Sequence, residues 1–136
     1  MSIAYNVVVL FMLKKVLIIE DDAFLGDTLI QKLKHSSYEV ALSLDGIAGL
    51  KKISEWKPDL VLLDIMLPHM NGYDILEAKV KDPAIKDIPV IIISNTEQSV
   101  ESSKLLSLGV KEYLVKAQFQ PSEVVAKIKA ELDKRD

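Results

Sequence analysis

The sequence predicts an α/β fold in which a parallel sheet is covered by helices on both faces. Two observations carry this. Short β-branched runs alternate strictly with longer stretches of helical spacing, five of each. The apolar residues, 49% of the chain, are concentrated in those short runs and separated by charged helical stretches, as strands buried on both faces require. Strict βα alternation implies right-handed crossovers, and these put helices on the two sides of a parallel sheet.

Taken in order, the first strand is expected at 16–20 and the first helix at 23–35, where Leu25, Leu29 and Leu33 recur every fourth residue and share one face. A strand at 38–42 and a helix at 45–55 follow, then a strand at 60–64 and a helix at 72–80. The fourth strand is expected at 90–94. The helix after it, 97–108, opens on a polar run, and Gly109 suits a left-handed cap at its end. The fifth strand is expected at 112–116. Pro121 suits the first turn of a last helix running to about residue 135, because it lacks the N–H that would be unsatisfied there. Val124, Val125, Ile128 and Leu132 give that helix its apolar face.

A chain of 136 residues is the size of one ordinary domain, so a second, output domain is not expected. Seventeen basic residues against 20 acidic ones give a net charge of −3, and no basic cluster tracks a phosphate backbone, so direct nucleic-acid binding is not expected either. Without cysteine there is neither a disulfide nor a thiolate metal site, and the two histidines, His35 and His69, lie far apart. Residues 1–13 read as an extension of unknown role ahead of a domain at 14–136. The apolar run 7–13 is too short to span a bilayer, and its positive charges, Lys14 and Lys15, follow it where a secretory signal would carry them in front. A dispensable leader with a natural start at Met12, a segment that packs or mediates association, and a targeting segment all stay open.

In an open parallel sheet, ligands collect at the carboxyl ends of the strands. The first expected strand ends on Glu20, Asp21 and Asp22, the third on Asp64, the fourth on Ser94 and the fifth on Lys116. Carboxylates brought together there raise one another's pKa unless a cation sits among them, and Mg²⁺, which keeps open positions for phosphate oxygens, is the natural occupant. The plainer alternative is that Glu20, Asp21 and Asp22 only cap the first helix. A carboxylate nucleophile with a metal, a lysine and a hydroxyl is a set suited to phosphoryl transfer.

The segment from Asp59 through Asp64, Pro68 and Gly72 to Asp74 resembles the signature of the receiver domain of bacterial two-component response regulators, an aspartate with proline four residues on and glycine eight on. Glu20, Asp21 and Asp22 after an apolar strand, the run from Pro89 to Ser94, and the run from Gly109 through Tyr113 to Lys116 occur in that family's order. The resemblance covers about residues 15–132 and is nearest to stand-alone, chemotaxis-regulator-like members. It implies a flavodoxin-like three-layer sandwich with five helices and strand order 2-1-3-4-5. It further implies that Asp64 accepts a phosphoryl group from a histidine kinase or phosphotransfer protein, and that Glu20, Asp21, Asp64 and the backbone carbonyl of Met66 form the Mg²⁺ site. Ser94 and Lys116 would hold the phosphoryl group, and Ser94 and Tyr113 would form a switch that alters the face made by the fourth helix, fifth strand and fifth helix, where a downstream protein binds. On this reading the chain is a cytoplasmic phosphoprotein of a two-component system or phosphorelay, a monomer or weak dimer. It assists its own phosphorylation and dephosphorylation without being an enzyme in the ordinary sense, and it does not insert in a membrane.

Three positions depart from the family pattern: Asn95 follows the hydroxyl where a small residue is usual, Ala117 replaces a proline after Lys116, and His69 stands where glycine is common. Proline in that place is often preceded by a cis bond. Before alanine a cis bond costs about 2.5–4 kcal/mol, so the Lys116–Ala117 bond is expected to be trans. A phosphatase of the haloacid dehalogenase type would carry a second aspartate where this chain has Met66. A nucleotide-binding domain would carry a glycine-rich turn where it has Glu20, Asp21 and Asp22. The alternative kept in view is a degenerate receiver that works as an interaction module without phosphate.

Overall fold

The computed structural model describes residues 13–135. The extension expected at 1–13 therefore lies, except for Leu13, outside the described residues. Five strands and five α-helices alternate: β1 (Lys15–Ile19), α1 (Ala23–His35), β2 (Glu39–Ser43), α2 (Gly46–Trp56), β3 (Leu60–Asp64), α3 (Gly72–Val80), β4 (Val90–Ser94), α4 (Ser102–Ser107), β5 (Val110–Val115) and α5 (Pro121–Asp133), with a 3-10 turn at Lys116–Gln118 before α5. All strand pairs are parallel and the order is β2-β1-β3-β4-β5, the expected doubly wound arrangement.

Side chains alternate across the sheet and feed two cores. Leu17, Ile19, Val61, Leu63 and Ile92 face one side, where they meet Ile53 of α2, Ile75 and Leu76 of α3, and Leu105 of α4. Val16, Ile18, Leu60, Leu62, Ile91 and Ile93 face the other, against Leu29 and Leu33 of α1 and Val124, Ile128 and Leu132 of α5. Each such fully buried aliphatic side chain contributes about 1.5–3 kcal/mol, which is why β1, β3 and β4, apolar on both faces, sit in the middle of the sheet.

Two glycines are dictated by geometry. A Cβ on Gly72 would lie 2.7 Å from the carbonyl oxygen of Asp64 and 2.9 Å from Cα of Ile65, so only glycine lets the start of α3 close onto the end of β3. That is the physical content of the glycine eight residues after Asp64. Gly109, at φ 84°, takes the left-handed turn that ends α4 and gives its N–H to Leu106 O. His69 also adopts positive φ, 69°, the conformation that explains why glycine suits that position.

Several boundaries differ from the sequence expectation: β1 lies one residue earlier, so that Glu20 follows it, and α2 lies one residue later. β2 lies one residue later than expected. β5 begins two residues earlier, at Val110, with an irregularity opposite Val90 and Ile91, and it ends before Lys116, which falls in the 3-10 turn. The fourth helix, expected at 97–108, shrinks to Ser102–Ser107. In the polar run ahead of it the side chains bond the backbone locally: Gln98 donates to Val100 O at 2.8 Å and Thr96 N–H donates to Ser94 Oγ at 3.2 Å, which competes with helix formation. Glu101 supplies no side-chain cap. No peptide bond among the described residues is cis, so the Lys116–Ala117 bond is trans as expected.

Candidate functional site

Parallel strand order sets the carboxyl ends of β1 and β3 side by side, and the residues there form one charged pocket. Asp64 is the last residue of β3 and is 2% exposed. Glu20 follows β1, is 1% exposed, and is tied to β2 by its N–H to Ser43 O at 3.0 Å. Carboxylate oxygens of Glu20, Asp21 and Asp64 lie within 4.8 Å of one another. Asp22 is not part of this group. Its carboxylate caps α1 by accepting from Leu25 N at 3.1 Å, so the capping alternative describes one of the three acids and the pocket takes the other two.

Lys116, delivered by the turn after β5, reaches across the sheet ends. Its ammonium donates to Glu20 Oε1 at 2.9 Å and to Asp64 Oδ2 at 3.1 Å. Asp64 Oδ1 accepts from Met66 N at 3.2 Å, so the backbone of Met66 lies against the same carboxylate. Burial pushes the Glu20 carboxyl from 4.5 up to about 7, against the lowering effect of its hydrogen bond from Lys116 and with the added repulsion of Asp64. Burial also acts to lower the Lys116 pKa, but its bond to Glu20 and the charge of Asp64 outweigh this and raise it. Lys116 thus stays a cation.

The pocket fits a divalent cation. Glu20 Oε2 is buried with no hydrogen-bond partner, an orphaned oxygen of the kind that a cation or its water satisfies. When all three carboxylates are ionised, one ammonium leaves two negative charges unbalanced, and an all-oxygen donor set selects a hard ion such as Mg²⁺.

Ser94 and Tyr113 are brought together in a second cluster. Ser94, the last residue of β4, is fully buried, and its Oγ lies 3.2 Å from Thr96 Oγ1. Tyr113 donates its hydroxyl to Thr96 O at 2.9 Å and to Glu97 O at 3.4 Å. The hydrogen-bond partner of the Ser94 hydroxyl is thus Thr96, and Asp64 bonds Lys116 and Met66 instead. Sequence reading missed Thr96. The only signal for it was a second hydroxyl two residues after the first.

Residues 16–129 match the family model of the response regulator receiver domain. The chain belongs to this family. Among curated relatives of the receiver family, it is 34% identical over 125 residues to the DNA-binding response regulator MtrA of Mycobacterium tuberculosis, covering 92% of this chain and 53% of that protein. It is 32% identical over 117 residues to the alkaline phosphatase synthesis transcriptional regulatory protein PhoP of Bacillus subtilis, covering 86% and 48%. The chain therefore spans about half the length of the curated relatives it matches. Among solved structures it is similar to a CheY-like receiver domain protein of Methanospirillum hungatei, with TM-score 0.79 and 32% identity over 90% of this chain and 95% of that one. The flavodoxin-like fold with order 2-1-3-4-5 is that of this receiver.

Proposed function

We propose that this receiver is a phosphorylation-switched module in which Asp64 takes a phosphoryl group from a phosphohistidine of a histidine kinase or phosphotransfer protein. The observation that carries the reading is the pocket itself, with Asp64, Glu20 and Asp21 sharing one cluster and Lys116 bridging two of them. In the transfer an oxygen of Asp64 forms a bond to phosphorus as the phosphorus–nitrogen bond of the donor breaks, and the donor imidazole, which carries a proton on its other ring nitrogen, takes the bonding pair and leaves as the neutral ring. Lys116, already 3.1 Å from Asp64 Oδ2, pairs with the charge on the transferred group. Mg²⁺ held by Glu20, Asp21, Asp64 and the Met66 carbonyl would neutralise charge on the phosphoryl oxygens. Ser94 would hydrogen-bond one of those oxygens after turning away from Thr96.

The output is a change in the face formed by α4, β5 and α5, read by a protein partner. The short α4, six residues long and uncapped, suits an element that shifts at low cost. We further propose that this receiver works in the cytoplasm, with residues 14–136 belonging to the receiver and 1–13 lying ahead of it, and that the receiver itself contacts no nucleic acid directly. No helix among the described residues is long and apolar enough to cross a membrane. The degenerate, phosphate-independent alternative is disfavoured by the intact set Asp21, Asp64, Ser94 and Lys116.

The test is incubation with acetyl phosphate, with and without Mg²⁺, followed by intact mass. The expected result is a gain of one phosphoryl group that requires Mg²⁺. No gain under conditions that label a control receiver would overturn the proposal.

A further inference from the structure

The two edges of the sheet differ in charge, although the chain carries a net charge of only −3. Helices here run against the strands, so their starts gather at the carboxyl edge and their ends at the amino edge. Acids favour helix starts and bases favour helix ends. Asp22 and Asp45 cap the starts of α1 and α2, whereas the last turn of α1 carries Lys32 and Lys34, and Lys57 closes α2. Lys14 and Lys15 enter between those two helix ends, their carbonyls accepting Glu39 N at 2.9 Å and Asp59 N at 2.8 Å. Because α1 and α2 pack on opposite faces of the sheet, lysines flank the entering chain on both sides. With Lys52 of α2, six lysines stand here against Glu39, Glu55 and Asp59, and two of these acids are engaged: Glu55 lies 3.9 Å from Lys51, and Asp59 accepts Lys15 N at 2.7 Å. One aromatic ring sits among the lysines. The ammonium groups of Lys52 and Lys15 lie 5.0 and 5.5 Å from the ring centroid of Trp56, the only tryptophan of the chain, which is half-buried.

We propose that this basic edge, together with the apolar run 7–13 that precedes it in sequence, is a contact surface for anionic lipid that lays the receiver on a membrane without crossing it. A short apolar anchor alone holds a bilayer only marginally and reversibly, and stable attachment takes a second signal such as a basic patch. Here the two signals adjoin, since Lys14 follows Leu13 directly. Trp56 and the apolar run favour lipid over a nucleic-acid backbone. An indole suits the headgroup boundary, with an apolar body and a polar tip, whereas a phosphate backbone offers apolar side chains nothing to bury against. The orientation follows from the fold. The pocket holding Asp64 and Lys116 lies at the other end of strands five residues long, about 17 Å away, so it faces away from the lipid and stays open to a phosphodonor.

The experiment is flotation of the full chain with vesicles of phosphatidylglycerol and phosphatidylcholine in equal parts, and with vesicles of phosphatidylcholine alone. The chain should float with the mixed vesicles and not with the neutral ones, and raising the salt from about 0.1 M to about 1 M should release it. Lys34 and Lys57 are exposed, so the double variant Lys34→Gln/Lys57→Gln should keep the parental urea midpoint. Its partitioning should fall about 30-fold, roughly five-fold for each lysine removed from an anionic surface. Phe11→Ser should lower partitioning at least about ten-fold. Because Trp56 is the only tryptophan, its fluorescence reports which face meets the lipid, and mixed vesicles with brominated acyl chains should quench it. Absence of flotation with the mixed vesicles, equal flotation with neutral ones, or undiminished binding of the lysine variant would overturn the proposal. Unquenched Trp56 in vesicle-bound protein would overturn it too, by showing that another face lies on the lipid. Binding of duplex DNA that depends on Lys34 and Lys57, with no binding of vesicles, would assign the edge to nucleic acid instead. None of these measurements uses phosphate, so their outcome is separate from that of the phosphorylation test.

Discussion

The ammonium of Lys116 lies 3.1 Å from Asp64 Oδ2 while also bonding Glu20 Oε1 at 2.9 Å, so one partly covered cation holds two buried carboxylates together. Removing it leaves acids that must either stay charged without a partner or take up a proton. Lys116→Met should therefore destabilise the metal-free protein at pH 8 by about 1–3 kcal/mol, the cost of an unpaired buried polar group. The loss should shrink at pH 5, where Glu20, its pKa pushed up to about 7, is protonated and needs no ammonium. Urea unfolding at the two pH values checks this, and equal losses at both would contradict it.

Asp21 belongs to the same acidic group but is exposed, so its removal should not disturb the fold. Asp21→Ala should abolish weak Mg²⁺ binding to the unphosphorylated protein while leaving the unfolding midpoint in metal-free buffer within the usual range for a surface change, about 0.5 kcal/mol. Amide shifts during Mg²⁺ titration give the affinity. Unchanged affinity in the variant would mean that the pocket does not hold the ion.

Lys79 supplies a pH dependence away from this pocket. Its side chain is fully buried on α3 and donates to Lys86 O at 2.9 Å. Burial, opposed by Asp87 and reinforced by Lys111 and Arg135, lowers its pKa from 10.5 to about 8. Between those values the unfolded chain binds more protons than the folded one, so this group makes stability rise with pH across about pH 8–10.5, and its full cost is present below 8. In Lys79→Met that contribution disappears. The stability difference, parent minus variant, should grow by up to about 3 kcal/mol from pH 7.5 to 10, and a constant difference by urea unfolding would rule the effect out.

What the sequence made legible is what periodicity and local chemistry encode. The five strands, the strict alternation and the apolar faces of α1 and α5 follow from spacing, and the meeting of Glu20, Asp21, Asp64 and Lys116 follows from their places at or just after strand ends. Three things were not legible. Lys79 stands among charged helical residues and reads as a solvated side chain, because its burial depends on the loop carrying Lys86 folding back over α3. The unwinding of 97–101 depends on side chains of Ser94 and Gln98 competing for backbone groups, which helical spacing does not register. The role of Asp22 as cap, with its two neighbours as pocket acids, is a matter of side-chain direction within three consecutive carboxylates.

Phosphorylation should be felt at Tyr113 and along the β4–α4 loop and α4, since Ser94, Thr96 and Tyr113 form one hydrogen-bonded chain and α4 has only Leu105 fully buried. Amide shifts on phosphorylation should be largest over residues 94–108 and 113. Shifts confined to α1 and α2 would refute this route.

The most direct test of the account is site mapping of the phosphorylated protein alongside Asp64→Asn under identical phosphodonor and Mg²⁺. A single modified residue, Asp64, is expected in the parent and no phosphoryl gain in the variant. Equal labelling of the two proteins, or a phosphoryl group mapped to any other residue of the parent, would contradict it.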